Sequence, residues 1–228
     1  MRLIFVRHGH PDYANDCLTP LGRKHAAAAA LRLQDEGVEA IYSSTHGRAM
    51  ETARHLAELV HLPVIGCEFM REINWGSIDG EPLHEDGHPW STADRMVENG
   101  ESLLAPDWAQ KEPFRRNRVV QCVADVAAGT DEWLRTLGYT REGLYYRAGK
   151  DTARTVAAFG HGGASTAILA HLLNLPFPFV TSTLGPDYTG ITIVRLPDGE
   201  GQLVKPHIES LNDARHIRGL TVENYYGK

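Results

Sequence analysis

Three short apolar runs in this chain end in the same way. Leu3-Ile4-Phe5-Val6 leads into Arg7-His8-Gly9. Val38 to Tyr42 leads into Ser43-Ser44, with Arg48 close behind. Thr155 to Phe159 leads into Gly160-His161-Gly162-Gly163. Short runs that are continuously rather than alternately apolar read as strands buried on both faces, so helices have to cover both sides of the sheet.

The segments between the runs supply those helices. Thr19-Pro20 is a helix start, a capping hydroxyl followed by proline at the first helical position; the alanine-rich stretch carries that helix to about Gln34, and Gly37 closes it. Gly47 to Leu59 reads as a second helix, Pro63 to Cys67 as a third short strand, and Ala164 to about Leu173 as a helix behind the glycines. Strand–helix alternation predicts an α/β fold: a mostly parallel sheet flanked by helices in three layers. Thr189 to Leu196 and Gln202 to His207, separated by Pro197-Asp198-Gly199, read as a closing antiparallel hairpin. From Trp75 to about Lys150 the alternation stops, and one long helix from about Arg116 to Leu137 stands out. The 228 residues suit one domain, 1–228, with 77–150 as a lid-like, mainly helical insertion over the C-terminal strand ends, where such folds bind ligands.

In a parallel sheet those strand ends lie side by side, so Arg7, His8, Arg48 and His161 are expected to share one crevice. Arginine forks match phosphate oxygens, a helix N-terminus favours an anion, and glycines at 162 and 163 permit close backbone approach. The expected ligand is a phosphoryl group. No GxxxxGK[ST] loop and no acidic cluster suggests magnesium, so the site needs its own cations and nucleophile, and histidine can be that nucleophile through a phosphohistidine. Neither metal nor cofactor is called for. The net charge of -6 argues against a general nucleic-acid binder but leaves room for a small anion. Three scattered cysteines form no CxxC pair, and no stretch spans a bilayer, so a reducing cytoplasm is the default location. No sequence feature sets an oligomeric state.

Val6-Arg7-His8-Gly9 resembles the RHG signature of the histidine phosphatase superfamily, in its phosphoglycerate-mutase-like branch. Leu18-Thr19-Pro20-Leu21-Gly22, Ser43-Ser44 with Arg48-Ala49 and Thr52-Ala53, Arg71-Glu72 with Gly76, and Gly160-His161-Gly162-Gly163 extend the resemblance in order over residues 3–163, while 77–150 carries no matching motif. The resemblance implies His8 as the phosphorylated nucleophile, Arg7, Arg48, His161 and Gly162 around the phosphate, and Glu72 as general acid with a pKa raised by burial. Two positions depart from the pattern. Where many members carry a phosphate-contacting asparagine, this chain has Ala14, and Asn15 is the nearest residue able to take that role. His10-Pro11 replaces the commoner Glu or Gln.

The expected activity is metal-independent hydrolysis of a small phosphorylated metabolite, releasing inorganic phosphate. A phosphoglycerate mutase and a non-catalytic phospho-ligand binder are the alternatives. Glu72 is also placed for an ordinary pair with Arg71, and Glu85 or Asp86 on the insertion could supply the proton instead. His84 and His88 are spaced like a helical metal pair, but Gly87 and Pro89 argue against that helix. Arg115, Arg116 and Arg118 read as a solvated helix start or as a reader of a second anionic group. His46 reads as structural or exposed, and the tryptophans as core.

Overall fold

The computed structural model describes residues 1–220. In chain order the main elements are β1 (Arg2–Arg7), β2 (Pro11–Asp12), β3 (Cys17–Leu18), α1 (Pro20–Leu33), β4 (Ala40–Ser44), α2 (Gly47–Val60), β5 (Val64–Cys67), α3 (Pro89–Glu98), α4 (Val119–Thr136), β6 (Tyr139–Glu142), β7 (Tyr145–Ala148), β8 (Thr155–Gly160), α5 (Gly162–Leu173), α6 (Phe177–Thr183), β9 (Ile191–Arg195), β10 (Leu203–Val204) and β11 (His207–Asp213).

The main sheet has the order β11-β9-β1-β8-β4-β5. β1, β8, β4 and β5 pair in parallel, and β9 and β11 add an antiparallel edge. β1 is therefore central, and its apolar run serves both faces. Leu3 and Phe5 point into a core shared with Val156, Trp133 and Leu134, whereas Ile4 and Val6 point into one shared with Ala30, Leu33, Ile41 and Leu56. The continuous hydrophobicity of this strand follows from that double burial. Emptying either side, as in Ile4→Ala, is expected to cost about 2–5 kcal/mol.

The helix ends obey local chemistry. Thr19 Oγ1 accepts the Gly22 N–H at 3.1 Å, with Pro20 opening α1. α2 ends on His61 in the left-handed conformation. β2 and β3 form a short ribbon between β1 and α1 (Pro11 opposite Leu18, Asp12 opposite Cys17), and residues 13–16 are its tip.

The closing hairpin is not the one expected. β11 is the strand that pairs with β9, and it begins only at His207. β10 turns away to pair with β7 in a separate three-stranded sheet with β6. The Pro197-Asp198-Gly199 turn therefore leads the chain across to another sheet rather than straight back along β9. The unmatched segment also divides in two. Its second half, α4 with β6 and β7, is built into the core: Trp133 packs edge-on against Phe5 at 6.2 Å. The expected helix there starts three residues late, at Val119, because Asn117 Oδ1 accepts the Val119 and Gly76 N–H groups and ties off the preceding loop. The first half, from Ser77 to Asn117, leaves and returns at one point, a bridge between those two residues. Among the described residues no helix is long and apolar enough to cross a membrane.

Candidate active site

The C-terminal ends of β1, β4 and β8 bring His8, Ser44 and His161 together, as expected of neighbouring parallel strands. His8 and His161 are fully buried, and their ring centroids are 5.1 Å apart. His8 Nδ1 lies 2.7 Å from its neighbour's carbonyl, Gly9 O. A carbonyl only accepts, so Nδ1 carries the proton and Nε2 keeps its lone pair. The His8 backbone is pinned on both sides, its N–H donating to Gly160 O at 2.9 Å and its C=O accepting from Thr189 N at 3.4 Å. Burial, and then the Arg7 guanidinium, hold His8 well below the usual histidine pKa. It is thus a neutral, fixed imidazole whose Nε2 is left without a proton.

His161 is fixed by a different partner. Its Nε2 lies 2.8 Å from Ser44 Oγ, which already accepts the His46 N–H at 3.2 Å. The serine O–H is thereby available to Nε2, an arrangement that assigns the ring proton to Nδ1. That Nδ1 is buried and has no hydrogen-bond partner among the described residues. Arg48, in the first turn of α2, is also buried; its Nη1 donates to Asp16 Oδ1 at 2.5 Å while its Nε has no partner. Orphaned buried donors are rare and costly. Two of them lie here, on residues drawn together by the strand ends.

Arg7 completes the cationic wall. Its Nη1 donates to Pro186 O at 2.8 Å, and its guanidinium lies over the Tyr188 ring at 4.5 Å. A Cβ placed on Gly162 would lie 3.6 Å from that guanidinium and 3.7 Å from the Trp90 indole, so the pocket wall, the helix start and the first half of the 77–150 segment converge at this glycine.

Glu72 lies at the start of α5. Its Oε1 accepts from Ala164 N at 2.9 Å and from Ile73 N at 3.1 Å. A Cβ on Gly163 would come within 2.8 Å of that oxygen, which accounts for the second glycine. The helix N-terminus expected to receive the phosphate therefore spends at least one of its N–H groups on this carboxyl. Burial pushes the Glu72 pKa up, against the pull of the Ala164 N–H and Arg7.

Other residues fall elsewhere. Asn15 is exposed, and its Nδ2 donates to Asp12 Oδ2 at 2.8 Å, so it does not take up the missing asparagine's place. The neighbouring Asp16 reaches the site instead, turned inward by a positive φ of 46°. Glu85 and Asp86 are exposed. Arg116 pairs with Asp79, Arg115 with Glu112, and Arg118 donates to Ser77 O. His84 is exposed, and His88 lies between Trp75, which it meets at a right angle, and Trp90, to which it is tilted by 31°. Among the described residues no group of three or more His, Cys, Asp or Glu could hold a metal ion.

Sequence reasoning missed His46, whose ring centroid lies 5.0 Å from that of His161, and the loop carrying Pro186 and Tyr188. The position of His46 between Ser44 and Arg48 was the only available signal for it. Nothing in the sequence marks the loop.

Fold and site together define an α/β protein that gathers two arginines and two buried histidines at the C-terminal ends of its parallel strands. A family model places it: the chain belongs to the histidine phosphatase superfamily, branch 1, matched over residues 3–209. A glucosyl-3-phosphoglycerate phosphatase of Mycobacterium tuberculosis is 29% identical over 185 residues, covering 77% of this chain and 76% of the relative. The structure of a mycobacterial glucosyl-3-phosphoglycerate phosphatase with inorganic phosphate superposes with a TM-score of 0.64 at 26% identity, over 94% of this chain and 98% of that one. A probable phosphoglycerate mutase of Yersinia enterocolitica is 27% identical over 92 residues, covering 36% of this chain and 43% of the relative.

Proposed function

We propose that this histidine phosphatase hydrolyses a small phosphomonoester through a phosphohistidine on His8. The observation that carries the reading is the pair of locked imidazoles: His8 with Nε2 unprotonated, and His161 with a buried, unpartnered Nδ1, beside the unpartnered Nε of Arg48.

In the first step His8 Nε2 attacks phosphorus in line, and the P–O bond to the leaving group breaks. Arg7, Arg48 and His161 Nδ1–H hold the equatorial oxygens and the charge that spreads over them. The Gly9 carbonyl, already bonded to Nδ1–H, stabilises the positive ring as the N–P bond forms. Glu72, kept protonated by burial, donates its proton to the departing alkoxide. In the second step the same carboxylate takes a proton from water, which attacks the phosphohistidine and releases inorganic phosphate and neutral His8. We further propose that the Ser77–Asn117 half of the insertion, through Trp90, roofs the pocket and contacts the leaving group. The phosphoglycerate-based substrate of the mycobacterial relative makes phosphorylated three-carbon acids and their conjugates the first substrates to try.

Purified protein is expected to hydrolyse p-nitrophenyl phosphate in the presence of EDTA, and His8→Ala to abolish turnover. Acid-quenched protein should carry acid-labile phosphate on His8 alone. Turnover surviving in His8→Ala would sink the mechanism, and isomerisation of 3-phosphoglycerate outpacing phosphate release would point to a mutase.

A further inference from the structure

Asp16 has no role in the reading above, yet it makes the most direct contact with the site from outside it. Its carboxylate accepts from Gly47 N at 2.7 Å and from Arg48 Nη1 at 2.5 Å, and Oδ2 lies 3.5 Å from His46 Nδ1. The loop is pressed close: a Cβ on Gly47 would stand 2.2 Å from the Asp16 carbonyl oxygen, so only glycine fits there. Asp16 holds a left-handed backbone that an aspartate tolerates better than most residues. Burial works against its ionisation, but the Gly47 N–H and Arg48 outweigh it and keep the carboxylate charged at neutral pH.

The corner at which Asp16 grips Arg48 matters. A guanidinium offers two parallel N–H groups along its Nε/Nη2 edge, which match two phosphate oxygens. Asp16 binds Nη1, the corner off that edge, and Nε is left buried without a partner. A carboxylate competing for the phosphate's place would instead cover the Nε/Nη2 edge.

We propose that Asp16 is a positioning residue: it anchors Arg48 by Nη1 to the start of α2 and so presents the Nε/Nη2 edge of Arg48 to the phosphoryl group between His8 and His161. The loop thereby supports phosphate binding through Arg48 rather than by a side chain of its own, as Asn15 was expected to do. This inference rests on the phosphate-site reading but is separable from it, because phosphate binding can be measured without turnover.

The test is a double-mutant cycle. Affinity for inorganic phosphate is measured by calorimetry for wild type, Asp16→Ala, Arg48→Ala and the double variant, with p-nitrophenyl phosphate kinetics alongside. Asp16→Ala is expected to weaken phosphate binding and raise KM by about tenfold, the scale of one charge-assisted hydrogen bond. In the Arg48→Ala background the same substitution is expected to change phosphate affinity by less than about twofold, because its effect passes through Arg48. Asp16→Asn, which keeps an acceptor, should recover most of the loss; if Asp16→Ala does not fold, Asp16→Gly, which removes the carboxylate and suits the left-handed backbone, is carried through the cycle instead. Unchanged or tighter phosphate binding in Asp16→Ala overturns the proposal, as does a loss that persists in full without Arg48. A wild type that binds phosphate but shows no His8-dependent turnover overturns the hydrolytic reading and leaves the binding cycle to decide on Asp16.

Discussion

β1 carries an arginine at each end, and the two are treated differently. Arg2 is enclosed by carboxylates: Nη2 and Nε donate to Glu209 at 2.7 and 3.1 Å, and Nη1 lies 3.0 Å from Glu36. Arg7 Nη1 donates to the Pro186 carbonyl, and its guanidinium lies over the Tyr188 ring. Arg7 also acts on the buried carboxyl of Glu72, pulling against the rise in pKa that burial causes. Arg2 ties the edge of the sheet to two acids, whereas Arg7 stands at the strand end beside the buried His8.

The largest expected effect tests that contrast directly. Arg7→Ala should lower kcat/KM for p-nitrophenyl phosphate by about 10³-fold, as loss of a preorganised transition-state donor does, with little change in Tm. A loss under tenfold would erase the distinction between the two ends. Next in size is Glu72→Gln. Glu72 must be protonated to act as the acid, so activity should fall as pH rises through its raised pKa. The variant should lose that alkaline limb together with about 10²-fold in kcat, and the loss should be greater for an alkyl phosphate than for the nitrophenyl ester, whose leaving group needs no proton.

A third comparison is between pH windows of stability. Burial depresses His8 and His161, so the unfolded chain binds more protons once pH falls below about 6.5. Their contribution is present above that value and is lost on acidification. At the other end, Glu36 and Glu209 are held low by their arginines, so their contribution persists until pH falls below about 4.3. Thermal melts from pH 7.5 to 4 should show a first decline near pH 6.5, which saturating phosphate offsets, and a second at lower pH. The smallest expected effect is Arg2→Ala: partly exposed ion pairs contribute about 0–1 kcal/mol, so Tm should drop slightly and kcat/KM should stay within about twofold.

What could be read from sequence followed the range of the interaction. β1, α1, β4, α2, β8 and α5 were legible because each announces itself locally, by an apolar run, a capping threonine or a glycine pair. The convergence of Arg7, His8, Arg48 and His161 needed only one further rule, that parallel strand ends are neighbours. Asp16 was not legible, because its role depends on a left-handed backbone at the ribbon tip, and a polar loop of Asn and Asp offers several residues that could turn inward. Tyr188 and Pro186 were missed for the opposite reason: their loop meets Arg7 only through tertiary packing. β10 is two residues long and has no periodicity to detect, so the turn before it suggested the wrong partner.

The position of β1 in the sheet also bears on how the enzyme is made. Its neighbours are β8 and β9, drawn from residues 155–160 and 191–195. During synthesis β1 therefore emerges long before either flank that will bury it. Until then Leu3-Ile4-Phe5-Val6 is an unpaired apolar segment of the kind that chaperones bind and that aggregates at high concentration. The strand that carries Arg7 and His8 is sheltered only when much later parts of the chain have been made. Yield of active enzyme should thus depend on temperature and chaperone supply during expression more steeply than the stability of the finished fold would suggest.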